Sequence, residues 1–390
     1  MKEPKQLSLY IHIPFCIHKC GYCDFNSYAV DKLLNMGHVD ENWATTYGTS
    51  LIREIECRAE RLGLAGTAVD TVFFGGGTPS LFPEPETIRI LETIQDTFKL
   101  SPEAEITLEA NPGAAECERF EALRGAGFNR ISIGMQSFND EILSRLERVH
   151  TGNEAREAFH STRRAGFSNV SLDLMFGTPF QSLAQATADV ESALALGPEH
   201  ISAYELTIEP GTNFGALHGR GELAGLPDED TALEMWEMRD RLLSAAGYER
   251  YEISNFARKG FRCRHNLNYW LRGDYLGLGA GAHSLIAGKR IWNIARPDHY
   301  IESKDDPEVG GEDVTDPNKA IGEALMLGLR LKEGVSLGDI ASRCGADPEE
   351  KFGEVFTELI DKKLLEHDNR TIRLTPRGTL LANQVLARFI

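Results

Sequence analysis

The 390-residue sequence has no run of about 18 apolar residues, the length that a helix needs to span a bilayer. Its first residues also lack the apolar segment and small-residue cleavage site of a secretory signal, so we expect a cytoplasmic protein. Positive charge is scarce, with 41 Lys and Arg against 59 Asp and Glu, a formal net charge of −18. Because nucleic-acid binding needs clustered positive charge, we expect no nucleic-acid partner.

Cysteines are few, and their spacing is uneven. Three of the seven, Cys16, Cys20 and Cys23, form a C-x3-C-x2-C cluster, and the other four are far apart. An odd number of cysteines in an acidic chain without a secretory signal does not indicate a disulfide framework. Thiolates are soft metal ligands that repel one another unless a cation holds them, so the cluster predicts a metal or iron–sulfur site.

Two kinds of site fit this spacing. Three thiolates can bind three irons of a cubane [4Fe–4S] cluster and leave the fourth iron open to a small molecule, whereas electron-transfer clusters usually have four Cys ligands. The alternative is zinc, which in structural sites takes four ligands, with His12 or His18 as the fourth. The spacing is not that of the usual zinc sites, and this favours the cluster.

Short apolar segments alternate six times with helical patterns, and this predicts parallel strands covered by helices. The unusual polar, Gly and Cys residues follow strands one, two, four and six, end strand three, and lie within strand five, so all would project from the carboxyl end of a barrel, where the active sites of β/α barrels are built. We therefore predict an α/β fold with a partial (β/α)6 barrel. The predicted strands are 7–13, 70–74, 105–110, 129–134, 169–176 and 199–206, and the predicted helices are 43–62, 84–98, 116–125, 139–147, 153–165 and 182–196.

The pattern predicts three parts: a barrel core over 1–236, a connecting region over 237–317, and a C-terminal domain over 318–390. The connecting region ends in an acidic stretch, 301–317, with seven acids against one lysine, which we interpret as an exposed linker. The C-terminal domain combines helices with a hairpin at 364–374, ends in a predicted helix over 376–388, and is winged-helix-like. It holds eleven basic and eleven acidic residues, and this argues against DNA binding.

The C-x3-C-x2-C cluster after the first strand, with Tyr22 just before the third cysteine, resembles the radical S-adenosylmethionine (SAM) superfamily. The glycine-rich segment 75–79 (GGGTP) after the second strand resembles the loop of that family that contacts the amino group of SAM. The resemblance implies that the open iron binds the amino and carboxylate groups of SAM, which the reduced cluster can cleave. Independently of it, glycines leave the backbone bare for a close ligand, and no G-K-[ST] follows as in a phosphate loop.

The segment 10–16 (YIHIPFC) is similar to the opening of one branch, which contains oxygen-independent coproporphyrinogen oxidase and the HemW-type haem chaperones. This resemblance covers nearly the whole chain and implies a set of SAM-contacting residues. The matching positions are Tyr10, Gly76, Gly77, Thr78, Glu109, Gln136, Arg148 and Asp173. Their chemistry suits the task, because carboxylates accept hydrogen bonds from ribose hydroxyls and a guanidinium can bind a carboxylate with two parallel bonds.

Within this branch the sequence resembles the chaperones more than the oxidase. The oxidase has a further cysteine where this chain has Phe25, and it has a longer segment before its first strand. The segment 263–270 (CRHNLNYW) resembles the H-N-x-x-Y-W segment of the haem chaperones. Cys263 and His265 are therefore candidate haem-iron ligands. The alternative is a packed loop in which His265 makes a structural hydrogen bond. Covalent attachment through C-x-x-C-H is not expected, because that motif is absent.

The resemblance implies a chaperone that binds haem and passes it to acceptor apo-proteins, such as respiratory haem proteins, including those at the membrane. A [4Fe–4S] cluster and SAM would then control haem transfer or oligomerisation, and a homodimer is one state that this allows. The first alternative is a radical SAM enzyme of the coproporphyrinogen III oxidase type. A DNA-binding regulator is a weaker third hypothesis, because the C-terminal domain has no net positive charge.

Overall fold

The structure is a computed structural model that describes residues 7–113, 117–303, 309–368 and 371–390. The strands in these ranges are β1 (Leu7–Ile13), β2 (Phe15–Cys16), β3 (Tyr28–Ala29), β4 (Ala68–Gly76), β5 (Lys99–Ala110), β6 (Arg130–Gln136), β7 (Val170–Phe176), β8 (His200–Glu205), β9 (Glu249–Arg250), β10 (Asn255–Ala257), β11 (Tyr275–Leu278), β12 (His283–Ile286), β13 (Lys289–Asn293), β14 (Val309–Val314), β15 (Val335–Ser336), β16 (Leu365–Asp368) and β17 (Thr371–Leu374). The helices are α1 (Val30–Asn35), α2 (Trp43–Arg61), α3 (Glu84–Thr97), α4 (Cys117–Ala126), α5 (Asp140–Arg145), α6 (Gly152–Arg164), α7 (Leu183–Leu196), α8 (Asn213–Gly219), α9 (Glu229–Ala245), α10 (Arg264–Trp270), α11 (Pro297–Glu302), α12 (Pro317–Gly328), α13 (Leu337–Cys344), α14 (Pro348–Asp361), α15 (Pro376–Leu380) and α16 (Ala382–Leu386).

One mixed sheet holds most of the strands, in the order β14-β13-β12-β11-β1-β4-β5-β6-β7-β8-β10-β9. The strands from β11 to β8 in this order are all parallel, and the flanking pairs are antiparallel. The six predicted strands are confirmed as β1 and β4 to β8, and helices cover them as expected. Because parallel neighbours end at the same edge, this order brings the segments after β1, β4, β5, β6 and β7 together.

The strands form here because their side chains are buried on both faces. All seven residues of β6 are buried, and so are six of the seven in β1. The covering helices begin at residues that satisfy their free N–H groups. Thr151 and Glu154 form a capping box at α6, and Ser182 and Gln185 form another at α7, a feature worth about 1 kcal/mol each. None of the helices in the described ranges is both long and apolar enough to cross a membrane.

The expected connecting region, 237–317, is largely part of the main sheet. It supplies β9 to β14, and β11 lies parallel to β1 at the centre of the sheet. Helix α9 also runs across position 236 without a break. In place of an irregular acidic linker, residues 309–314 form the edge strand β14, paired with β13; residues 304–308 lie outside the described residues. These strands were missed because they are short, and because the side chains of β14 are half-buried at best.

The C-terminal part has a hydrophobic core of its own, formed by α12, α14 and the last residues of the chain. A three-stranded sheet, β15-β17-β16, flanks it, and β16 with β17 is the predicted hairpin; residues 369–370 at its tip lie outside the described residues. The predicted final helix 376–388 is wrong as one helix. It divides into α15, α16 and a 3-10 turn, because the backbone at Leu381 (φ −107°, ψ 23°) leaves helical geometry.

Candidate functional site

The three clustered cysteines lie on the loop that follows β1. Cys16 is buried on β2, and Cys20 and Cys23 are partly exposed on a turn closed by a 3.1 Å hydrogen bond between their backbones. Thr78 Oγ1 lies 3.6 Å from Cys16 Sγ, and Ser27 Oγ lies 3.8 Å from Cys23 Sγ. Burial raises the pKa of the Cys16 and Cys23 thiols.

The arrangement of these thiols bears on the choice between zinc and an iron–sulfur cluster. In the described part of the chain, no three His, Cys, Asp or Glu side chains are placed to hold one metal ion. A single zinc ion needs such convergence. In a [4Fe–4S] cluster each sulfur binds a different iron, so three thiols spread around one cavity suit it. The donor set therefore fits a cluster better than zinc.

A cavity of about 430 Å³ opens beside the cysteine loop at the carboxyl ends of the parallel strands. Its volume falls within the range of about 300–1,000 Å³ that is usual for small-molecule sites. All three cysteines and seven of the eight residues implied as SAM contacts line it. These seven are Gly76, Gly77, Thr78, Glu109, Gln136, Arg148 and Asp173.

The two glycines after β4 are required by close packing. Gly76 has φ +117°, and a Cβ there would lie 2.5 Å from Cε1 of His12. A Cβ on Gly77 would lie 2.7 Å from the backbone oxygen of Phe15. No side chain fits at either position without moving its neighbours, so the backbone edge toward the cavity stays bare.

Two carboxylates, Glu109 on β5 and Asp173 on β7, project into the cavity. Glu109 Oε2 accepts a 3.1 Å hydrogen bond from Gly76 N, and both Asp173 oxygens lie 3.2 Å from Ser132 Oγ. Burial, together with the charge of Asp173, raises the pKa of Glu109 to about 8. Burial likewise raises the pKa of Asp173. Two half-buried acceptors whose ionised forms lack full solvation are suited to polar hydroxyl groups of a ligand.

Arg148 links the cysteine loop to the strand ends. Its Nη2 donates to Asn111 Oδ1 at 2.7 Å and to Gly134 O at 2.8 Å, and its Nη1 lies 3.7 Å from Cys20 Sγ. The guanidinium is thus fixed beside the Cys20 thiol. Gln136, at the end of β6, has the left-handed φ of +62° and accepts a 2.7 Å bond from Tyr204.

Tyr10 is the one implied SAM contact that does not line this cavity. It lines an adjoining cavity of about 350 Å³, which shares Gly76 and Glu109 with the first. Its hydroxyl lies 2.9 Å from His12 Nδ1, and His12 Nε2 lies 2.8 Å from Asn26 O. Tyr10 therefore contacts His12, whose ring packs against Gly76.

Asn111, Arg130 and Tyr204 are among the cavity-lining residues that were missed from the sequence. Asn111 follows β5 directly, so the strand-end rule could have found it. Arg130 begins β6, at the end of that strand away from the expected site, and only its long side chain reaches the cavity. Tyr204 lies inside β8. Neither of the last two has a sequence signal.

Cys263 and His265, the candidate haem ligands, are buried, and their side chains are in hydrogen-bond contact with protein groups. The two ring nitrogens of His265 lie 2.8 Å from Thr71 Oγ1 and 3.0 Å from the hydroxyl of Tyr269. The Cys263 thiol lies 3.5 Å from a carboxylate oxygen of Glu105. Burial lowers the pKa of His265 to about 3 and raises that of Cys263 to about 12. These contacts favour the alternative, a structural hydrogen bond in a packed segment.

Two family models match the chain: the radical SAM superfamily over residues 10–192 and the HemN C-terminal domain over residues 315–381. A curated relative from Escherichia coli (strain K12), "Heme chaperone HemW", is 43% identical over 394 residues, covering 98% of each chain. The relative of the same name from Bacillus subtilis (strain 168) is 38% identical and covers 98% of this chain and 99% of its own.

Coproporphyrinogen III oxidase (HemN) from Escherichia coli, a radical SAM enzyme, has a similar structure. Its TM-score is 0.83 at 23% sequence identity, over 100% of this chain and 91% of that one. At this identity the match shows the shared fold, a partial barrel with the C-terminal domain. The near-complete relatives at 38–43% identity are closer in sequence. The chain therefore belongs to the HemW family of haem chaperones, within the radical SAM superfamily.

Proposed function

We propose that this protein binds haem and transfers it to acceptor apo-proteins, with a [4Fe–4S] cluster on Cys16, Cys20 and Cys23. One observation carries the proposal: a chain of the HemW family has its three clustered thiols and seven of the eight implied SAM contacts around one cavity. When bound, SAM would complete the coordination of the open iron.

The chain's own residues have distinct tasks in this site. Gly76 and Gly77 offer a bare backbone edge to the amino group of SAM, and Arg148 offers its charge to the carboxylate. Glu109 and Asp173 accept hydrogen bonds from ribose hydroxyls. Because Glu109 is neutral over most of the physiological range when the cavity is empty, ligand hydroxyls would favour its ionised form.

The proposal also covers the cellular location, the partners, the oligomeric state and the domain organisation of the protein. We place it in the cytoplasm, with acceptors that include haem proteins at the membrane, and we propose a homodimer as one functional state. We also propose that the C-terminal part, 318–390, is a separate domain, which its own hydrophobic core supports. Its charge balance supports no nucleic-acid partner.

A second function, oxidation of coproporphyrinogen III, is favoured by the similarity to the oxidase structure. Where the oxidase is expected to have a further cysteine beside the cluster, this chain has Phe25, which lines the cavity and is 59% exposed. A phenyl ring cannot supply the thiol chemistry of a cysteine. We therefore place this function second.

The two functions are separated by one experiment on the anaerobically reconstituted protein. Coproporphyrinogen III and SAM are added under reducing conditions and protoporphyrinogen is measured, while a parallel sample is titrated with haem. We expect a haem absorbance band and no protoporphyrinogen. Product formation without haem uptake would assign the protein to the oxidase function.

A further inference from the structure

A second and larger cavity lies between the main sheet and the C-terminal part of the chain. Its volume is about 1280 Å³, against about 430 Å³ for the cavity beside the cysteines. Strands β11 and β12 and helix α10 form one wall, and helices α12 and α14 form the other. Ligand sites usually measure about 300–1,000 Å³, so this cavity can take a ligand larger than SAM.

The walls of this cavity are mainly apolar and aromatic. Trp270 and Leu285 line it from the side of the main sheet, and Met326, Phe352 and Phe389 line it from the C-terminal part. The guanidinium of Arg330 lies 4.6 Å from the ring centroid of Trp270 and helps to hold that indole in place. A flat apolar ligand would gain both hydrophobic burial and ring stacking between these walls.

The polar groups of the cavity favour an anion. Four basic side chains, Arg272, Arg290, Lys319 and Lys351, line it against two acidic ones, so the lining side chains sum to +2 in a chain of −18. One acid, Glu323, is shared between Arg290 Nη1 and Arg272 Nε, each at 2.9 Å.

Some donors at this cavity have no partner in the described residues. Arg272 Nη2 and Trp270 Nε1 are both buried there without a hydrogen bond. Lys351 forms no salt bridge among the described residues, and its Nζ lies 5.1 Å from the ring centroid of Phe352. Buried donors without partners are costly, and a bound carboxylate would satisfy them.

We propose that this cavity is the haem site, and that Arg272, Arg290 and Lys351 bind the two propionates. The inference rests on the proposed function and assigns its ligand a place. Haem combines a flat apolar macrocycle with two carboxylates. The apolar and aromatic walls suit the macrocycle, and the basic side chains suit the carboxylates. Met326 and Tyr275, which line the cavity, have side chains of kinds that ligate haem iron.

This assignment gives the segment around His265 a positioning role. The Tyr269 ring, which lines the cavity, packs edge-on against His265 at 4.8 Å and against Tyr275 at 4.7 Å between centroids. His265 thereby fixes Tyr269 through the 3.0 Å hydrogen bond. The segment 263–270, which resembles the H-N-x-x-Y-W segment of the haem chaperones, would then form one wall of the haem site and would not supply the iron ligand.

The test is a haem titration of the full reconstituted chain, followed by the Soret absorbance. Ala346→Trp fills the cavity from its rim, and Lys351→Glu reverses one charge without breaking a described ion pair. We expect Ala346→Trp to weaken haem binding at least about tenfold, because the indole occupies the site. Lys351→Glu should weaken it roughly three- to tenfold. Cluster absorbance and SAM affinity should not change in either variant.

Three controls make the outcome decisive. Ala245→Trp and Lys332→Glu make the same changes at exposed positions that do not line this cavity, and Cys263→Ser removes the buried thiol. We expect all three to bind haem like the unmodified protein. Unchanged haem affinity in both cavity variants, or its loss in Cys263→Ser alone, would overturn the assignment while leaving the proposed function intact. Absence of any haem uptake by the unmodified protein would instead overturn the proposed function.

Discussion

Replacing Gly76 by alanine tests whether the glycine segment after β4 is shaped for a ligand. A non-glycine residue held at φ +117° costs on the order of 1–3 kcal/mol. In addition, the new Cβ would lie 2.5 Å from Cε1 of His12, whose ring must move. That ring is held by hydrogen bonds of 2.9 Å to Tyr10 and 2.8 Å to Asn26, and losing one or both costs about 0.5–1.5 kcal/mol each.

The matched control is Gly166→Ala, at a φ of +86° with nothing within 4 Å of the added Cβ. It carries the backbone strain without the collision. We expect the free energy of unfolding, measured in urea under anaerobic conditions, to fall by about 1–2 kcal/mol more for Gly76→Ala than for the control. SAM affinity, measured by titration calorimetry, should fall at least about tenfold only for Gly76→Ala. Equal stability losses together with unchanged SAM affinity would show that the glycine segment is not shaped for a ligand.

Three further predictions concern groups placed by the same structure. The pKa of Glu109 is about 8 in the folded protein and 4.5 in the unfolded chain, so the folded state binds the proton more tightly. Without SAM, the free energy of unfolding should therefore fall as pH rises from 4.5 to about 8, by up to roughly 1.4 kcal/mol per pH unit. Glu109→Gln should flatten that pH dependence in urea denaturation, and an identical slope would contradict the placement. Arg58→Met, which breaks a fully buried pair, should cost about 3–5 kcal/mol of unfolding free energy, whereas Arg145→Met at an exposed pair should cost less than about 1 kcal/mol. Cys20→Ala should abolish the iron–sulfur absorbance and Cys57→Ala should retain it; the same spectrum in both would remove Cys20 from the ligand set.

The central strands could be predicted from the sequence because they are buried on both faces. Their apolar segments stand out, and the rule that parallel strands end together then predicted a site at one edge, to which the family resemblance assigned Glu109 and Asp173. The rule works because it depends only on chain direction and strand order. The same rule could also have predicted Asn111 as a site residue, because it follows β5 directly.

What the sequence did not reveal depends on contacts between distant segments. Strand β11 pairs with β1 across more than 260 residues, and its four residues carry too short a pattern to be recognised. The motif around His265 was visible, but its burial was not. Because the hydrogen-bond partners Thr71 and Tyr269 come from separate elements, only the structure shows that both ring nitrogens are engaged. The larger cavity likewise arises only where the two parts of the chain meet.

The proposed function depends on one arrangement, in which three thiols hold a cluster whose open iron faces the SAM cavity. The most direct measurement is electron paramagnetic resonance of the reduced, anaerobically reconstituted protein, recorded before and after SAM is added. We expect a [4Fe–4S]⁺ signal that changes when SAM binds, and a SAM-induced change that is weakened in Gly76→Ala. A signal that SAM leaves unaltered, or a protein that carries only zinc after reconstitution, would rule this arrangement out.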